Sequence, residues 1–227
     1  MSAPLQIAID GPAASGKTTV ARRVAERLGI PYFDTGVMYR ALAALALRTQ
    51  TDADNEEALL RLMDRRPITV VFDAAAPSGQ RVLAGAEELP ASELQSSAVT
   101  AVVSTVAAHP RVRETMVREQ RRIADERPIV MAGRDIGTVV LPQAPVKIYL
   151  TASAHARARR RQLQLEAAGV DVSAHALEEE LRERDRLDSD RPTSPLRAAP
   201  DAVRIDSSDR TVDEVVDEIC RLAARAA

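Results

Sequence analysis

The sequence predicts an α/β fold centred on a parallel sheet. Near the N-terminus Ile7-Ala8-Ile9-Asp10 has the pattern of a buried strand end, and it runs through a glycine-rich turn directly into a helical pattern from Thr19 to Val24. Two further β-branched runs, Pro128-Ile129-Val130-Met131-Ala132 and Val146-Lys147-Ile148-Tyr149-Leu150, are bounded by turn residues and interleaved with helical segments. Strands alternating with helices in this way are the signature of βαβ units.

The chain has 227 residues, enough for one α/β domain with insertions and a sizeable core. With 45% hydrophobic and 28% charged residues it falls in the ordinary globular range. No apolar run approaches the roughly 20 residues needed to span a bilayer. Met1-Ser2-Ala3-Pro4 lacks the basic and apolar stretches of a secretory signal, so a cytoplasmic location and no membrane partner are expected. A net charge of −2, 2% aromatics and no tryptophan argue against a stacking platform for nucleic acid. Cys220 is expected as a small buried hydrophobe, and His109, His155 and His175 lack metal-ligand spacing.

In chain order, Val20, Ala21, Val24, Ala25 and Leu28 recur at helical spacing, and Gly29 and Pro31 stop the helix. Tyr32-Phe33-Asp34 reads as a short strand and Val37 to Arg48 as a helix. From Asp52 to about Glu126 the pattern changes. An acidic helix at 56–64 precedes the strand Ile68–Phe72, a turn around Pro77-Ser78-Gly79, and Arg81-Val82-Leu83 pairing back onto that strand. Two helices, 92–108 and 110–126, are split at His109-Pro110. After the two core strands come an arginine-rich helix at 153–168, a turn at Gly169-Val170-Asp171-Val172 and a highly charged helix at 173–190. Ala202–Asp206 is a last strand, and Thr211-x-x-Glu214 is a capping box opening a helix with Val212, Val215, Val216, Ile219 and Cys220 inward.

The chemistry concentrates in Gly11-Pro12-Ala13-Ala14-Ser15-Gly16-Lys17-Thr18, which fits G-x-x-x-x-G-K-[ST] at every fixed position. Glycines allow backbone N–H groups to turn inward as an anion nest at a helix N-terminus. Lys17 then reaches the β- and γ-phosphates, and Thr18 offers a hydroxyl to Mg²⁺. Of 31 basic residues only Lys17 and Lys147 are lysine, leaving 29 arginines. A compact ammonium suits the P-loop position where a planar fork would not fit. Arg134 and Asp135 follow a core strand at its carboxyl end, where open parallel sheets bind ligands. Arg184, Asp188 and Arg191 fall at i, i+4 and i+7, on one helical face. There is no Asn-Lys-x-Asp guanine motif, and arginines recur in several segments. A transferase acting between two anionic nucleotides has to neutralise both phosphate groups, so a kinase is favoured over a switch or a motor.

Six segments in order carry a resemblance: Ile9-Asp10-Gly11-Pro12, Asp34-Thr35-Gly36-Val37-Met38-Tyr39-Arg40, Pro110-Arg111-Val112-Arg113, Gly133-Arg134-Asp135-Ile136-Gly137-Thr138, Ala144-Pro145-Val146-Lys147-Ile148 and Arg184-Asp185-x-x-Asp188-x-x-Arg191. Over nearly its whole length the chain resembles the bacterial cytidylate kinases of the nucleoside monophosphate kinase superfamily. That resemblance implies a P-loop nucleoside-monophosphate-kinase fold, with a parallel five-stranded sheet flanked by helices, an inserted monophosphate-binding domain and a helical lid. The core would be 1–38, 127–155 and 192–227, the insert 39–126 and the lid 156–191.

The implied reaction is transfer of the γ-phosphoryl group of ATP to CMP or dCMP with Mg²⁺, by a monomer that binds neither nucleic acid nor membrane. Gly11, Pro12, Ala13, Ala14, Ser15, Gly16, Lys17, Thr18 and Thr19 would hold ATP. Thr35, Asp135, Arg184 and Asp188 would face the pentose and neighbouring phosphate of CMP. Arg40 and Arg134 would take its α-phosphate, and Ser104, Arg113 and Arg191 would read the cytosine edge. Arg157 and Arg161 would stand near the transferring phosphoryl group, so Lys17, Arg134, Arg157, Arg161 and Arg184 form the expected catalytic set. Where the family usually has an arginine this chain has Leu94-Gln95-Ser96, so that positive contact is either missing or supplied by Arg81. Alternatives are another P-loop small-molecule kinase acting on UMP, AMP or shikimate, or an inactive nucleotide-binding module.

Overall fold

The computed structural model describes residues 4–73, 75–76, 79–167, 169–170 and 172–226. The turn expected at Pro77-Ser78, Asp171 in the expected glycine turn, and Met1-Ser2-Ala3 lie outside the described residues. Contacts divide the chain into two units, one of residues up to Ile30 and from Arg127 onward, the other Pro31–Glu126.

The chain opens with β1 (Gln6–Asp10), buried from Ile7 onward, and α1 (Lys17–Leu28) follows across the P-loop. Gly11 has to be glycine, because a Cβ there would stand 2.1 Å from the Leu150 carbonyl oxygen. Val20, Ala21, Val24 and Ala25 form the buried stripe of α1, and Gly29 ends the helix in a left-handed conformation at φ 65°. β2 (Tyr32–Asp34) and α2 (Gly36–Arg48) begin the second unit, with α2 burying an almost unbroken run from Met38 to Ala46. In α3 (Glu56–Arg65) the Asn55 side chain caps the Ala58 N–H at 3.0 Å. β3 (Ile68–Phe72) and β4 (Gln80–Ala84) pair antiparallel, and the short β5 (Glu87–Glu88) adds a third strand that was not expected.

The single helix expected at 92–108 is two, α4 (Ala91–Leu94) and α5 (Ser97–Ala108). Ser96 is extended, and its hydroxyl accepts from the Val99 N–H, so the local cap interrupts a continuous helical pattern. α6 (Pro110–Asp125) starts at a proline, where the missing N–H costs nothing.

In the first unit the chain resumes with β6 (Ile129–Gly133), and a π-helical turn, Ile136–Val140, follows it. β7 (Val146–Thr151), α7 (Ala154–Ala167), α8 (Ala174–Asp190), β8 (Val203–Asp206) and α9 (Val212–Ala226) complete the chain. The expected five-stranded sheet is present in the order β2-β6-β1-β7-β8, with β1 parallel to β6 and β7, and β7 parallel to β8. The capping box forms as expected, with Glu214 accepting from the Thr211 N–H at 2.8 Å. Its inward face is narrower than expected. Val215, Val216, Ile219 and Ala223 are buried, whereas Val212 in the first turn is 39% exposed and Cys220 is half-buried beside Arg27 and Asp217. Burial still pushes the Cys220 thiol upward, which leaves little thiolate at neutral pH.

Candidate active site

The P-loop is built from backbone conformations that a regular helix cannot supply. Ala14 and Gly16 both take positive φ, 58° and 92°, and turn the chain into the first turn of α1. Lys17 is buried at 7% exposure, with Nζ donating to the Pro12 carbonyl at 2.5 Å and to Ser15 Oγ at 3.4 Å. Its ammonium is thus held against the carbonyl and hydroxyl oxygens of the loop itself. Thr18 and Thr19 are exposed at the start of α1.

The outer side of the loop is gripped by α7 and α8. Arg157, nearly buried, donates to the carbonyls of Ala13 and Ala152 at 3.1 Å each and pairs with Asp185 at 2.6 Å. Asp185 in turn accepts from the Ala13 N–H at 3.3 Å. Ala13 also belongs to an apolar cluster with Ala158, Leu177 and Leu181. Arg160, absent from the sequence-based set, donates to Ser15 O at 3.4 Å and Ser207 Oγ at 3.1 Å and also binds Ser207 O. Arg161 meets Gln164 at 3.5 Å on its own helix. Successive residues on a helix are about 100° apart, so only the packing of α7 decides which of these arginines turn to the loop.

At the carboxyl end of β6, Arg134 donates through Nε to Asp188 at 2.8 Å. Arg191, just past the end of α8, approaches the same carboxylate at 3.7 Å and donates to the Asp188 and Ser194 carbonyls. Burial of Asp188 works to raise its pKa, but Arg134 and Arg191, with Arg184 behind them, hold it below the ordinary carboxylate value. The expected face of Arg184, Asp188 and Arg191 therefore forms one charge cluster with Arg134. Asp135, the next residue after Arg134, is buried at the start of the π-helical turn.

Within the second unit Thr35 is buried at the N-terminus of α2. Arg40 donates to the Leu94 carbonyl at 2.9 Å and to Thr100 Oγ1 at 3.1 Å. Arg113, 3% exposed, donates to the Ala107 carbonyl at 3.1 Å and lies 5.1 Å over the Tyr39 ring, a cation–π arrangement. Ser104 is half-buried on α5.

A family model described as cytidylate kinase matches residues 7–225. The chain belongs to the cytidylate kinase family. A protein named cytidylate kinase from Geobacillus kaustophilus is 50% identical over 98% of this chain and 97% of its own. One of the same name from Streptococcus pneumoniae is 46% identical over 95% of each chain. A solved structure of an uncharacterized protein from Eubacterium ventriosum shares the fold, with a TM-score of 0.51 at 16% identity over 97% of this chain and 98% of that one.

For this cytidylate kinase family member the P-loop is that of a kinase, and the reaction is ATP-dependent. Arg81 is the residue that the sequence offered in place of the arginine that the family usually has near Gln95. It pairs with Glu88 across β4 and β5 at 2.5 Å, while Gln95 is exposed at the end of α4. Besides Arg160, the residues that sequence reading left without a role are Asp10, Asp185, Thr100 and Ser207. For Asp10 a signal was available, since a lone carboxylate closing an otherwise apolar strand has to find partners inside.

Proposed function

We propose that the chain phosphorylates CMP and dCMP to CDP and dCDP with ATP, by in-line transfer and without a covalent protein intermediate. The observation that supports this most is the joint presence, in one unit, of a P-loop ending on a buried Lys17 and an Arg134–Asp188–Arg191 cluster whose guanidiniums suit a phosphate dianion. The acceptor is already a phosphate oxygen, so the protein's task is positioning and charge stabilisation rather than proton abstraction.

In this reading Gly11 to Thr19 cradle the ATP phosphates, with Lys17 following charge across the transfer. Arg40 and Arg134 hold the α-phosphate of CMP. Thr35, Asp135, Arg184 and Asp188 meet the pentose side, and Ser104, Arg113 and Arg191 present donors to the O2 and N3 acceptors of cytosine. Arg157 and Arg161, on the helical lid 156–191, act at the transferring group, with Arg157 acting from its anchored place against Ala13. Thr18 fits Mg²⁺: its hydroxyl oxygen is a hard donor, exposed at the first turn of α1. Held by Thr18 and phosphate oxygens, the ion would neutralise charge on the triphosphate. The enzyme is monomeric and cytoplasmic in this reading, and among the described residues no helix is long and apolar enough to cross a membrane.

The relatives' names do not favour UMP, AMP or shikimate as acceptor, or an inactive module. A coupled ADP-release assay against CMP, dCMP, UMP and AMP tests the assignment. Turnover is expected with the two cytidine nucleotides, lost about a thousandfold in Lys17→Ala and shifted to about tenfold higher KM for CMP, but not ATP, in Arg191→Ala. Preference for AMP or UMP, or Lys17→Ala retaining near-normal rates, would overturn it.

A further inference from the structure

The roles proposed above leave one buried carboxylate without a task. Asp10 ends β1, immediately before the P-loop, and is 3% exposed. One of its oxygens accepts from the Ile136 N–H and the other from the Gly137 N–H, both at 2.7 Å. These are the first two N–H groups of the π-helical turn, where no earlier turn of the same helix offers a carbonyl. The turn then closes on Asp135, whose carbonyl accepts from Val139 and Val140 at 2.8 and 3.1 Å.

Residue 137 is fitted to this arrangement. A Cβ at Gly137 would stand 3.4 Å from Asp10 Oδ2 and 3.3 Å from Lys147 Cδ, so glycine leaves room for the carboxylate on one side and the lysine stem on the other. Lys147 itself donates to the Pro142 carbonyl and to Asp201, both at 2.6 Å. It ties down the segment that leaves the turn, as Asp10 ties down the segment that enters it.

We propose that Asp10 is a positioning residue for the monophosphate side of the site: by holding the Ile136 and Gly137 amides it fixes the backbone from which Arg134 and Asp135 project. This rests on the reading of Arg134 and Asp135 as CMP-binding residues. An ionised carboxylate can accept both N–H groups at once, whereas a carboxamide turns its NH₂ toward one of them. Burial raises the Asp10 pKa to about 6, against the lowering effect of the two amides, with Asp135 raising it further and Lys17 lowering it. Tyr149 of β7 and the Lys147 stem complete its surroundings.

The test is Asp10→Asn in the coupled assay, beside the wild type. The expected result is a rise of about tenfold in KM for CMP, with KM for ATP within about twofold and kcat within about threefold. If both KM values rise together, Asp10 serves the P-loop instead, and if neither moves it positions nothing; either overturns the inference. A wild type that does not turn over CMP fails the functional reading instead. A second measurement does not need the variant to fold. In the nucleotide-free wild type, the Ile136 and Gly137 amide resonances are expected to titrate together with an inflection near 6. Amides that do not respond across roughly pH 5 to 8 would overturn the role assigned to Asp10.

Discussion

Asp10 at the end of β1 and Asp188 near the end of α8 are both buried carboxylates of the same unit, and they are satisfied by different means. Asp10 takes two backbone amides, which supply hydrogen bonds but no net charge, so desolvation prevails and its pKa rises to about 6. Asp188 takes arginines, whose charge outweighs desolvation, and its pKa falls. Amides fix a backbone without holding cations in reserve. A carboxylate among arginines does the reverse, since it keeps Arg134 and Arg191 close together without a phosphate between them. The first arrangement suits a fixed frame, and the second suits a place that receives an anion.

The largest effect that distinguishes the two concerns stability. Asp188→Ala leaves Arg134 and Arg191 facing each other with little solvent, and removing one partner of a buried charge cluster costs about 3 kcal/mol. Chemical denaturation measures it. A loss below about 1 kcal/mol would mean that the arginines relax into solvent and that Asp188 holds nothing in place. Added CMP should recover part of the loss, because its phosphate restores a negative charge between them.

The next effect lies in the pH dependence, where the two residues act with opposite sign. Between 3.8 and about 6 the folded protein keeps a proton on Asp10 that the unfolded chain has released, so stability falls as pH rises through that window and is level above it. Asp188, with its lowered pKa, contributes stability that is complete above 3.8 and is lost as pH falls below it. Unfolding free energies from pH 4 to 7 should therefore decline less steeply in Asp10→Asn than in the wild type, by about 2 kcal/mol at most. Asp188→Asn should lower the curve throughout this range and alter its slope only at the acid end. An unchanged slope in Asp10→Asn would break the contrast.

What sequence could reveal follows the same division. The strands other than β5, the P-loop and the Thr211–Glu214 cap were legible because each is encoded within a few neighbouring residues. The π-helical turn was not, because its first two amides are satisfied by a residue 126 and 127 positions away in sequence. The break at Gln95–Ser96 was hidden because Ser96 suits a helix interior and a cap almost equally until its φ and ψ are known. Site residues were legible where spacing places them on one face, as for Arg184, Asp188 and Arg191. They were illegible within Arg157 to Arg161, where the pattern is arginine on nearly every side.

That run supplies the smallest effect and the finest test of the contrast between a frame and a receptive site. Arg160 is anchored on the Ser15 carbonyl and on Ser207, as Asp10 is anchored on amides, so it belongs to the frame. Arg160→Ala should lower the melting temperature by a few degrees, as expected for about 1 kcal/mol in a chain of this size. Arg161, with its long contact to Gln164, contributes little to the fold, so Arg161→Ala should leave melting unchanged and lower kcat severalfold at constant KM for CMP. If Arg161→Ala proves silent in both readouts while Arg160→Ala cuts kcat and spares melting, the roles are exchanged: the arginine held against the P-loop is the one that follows the phosphoryl group.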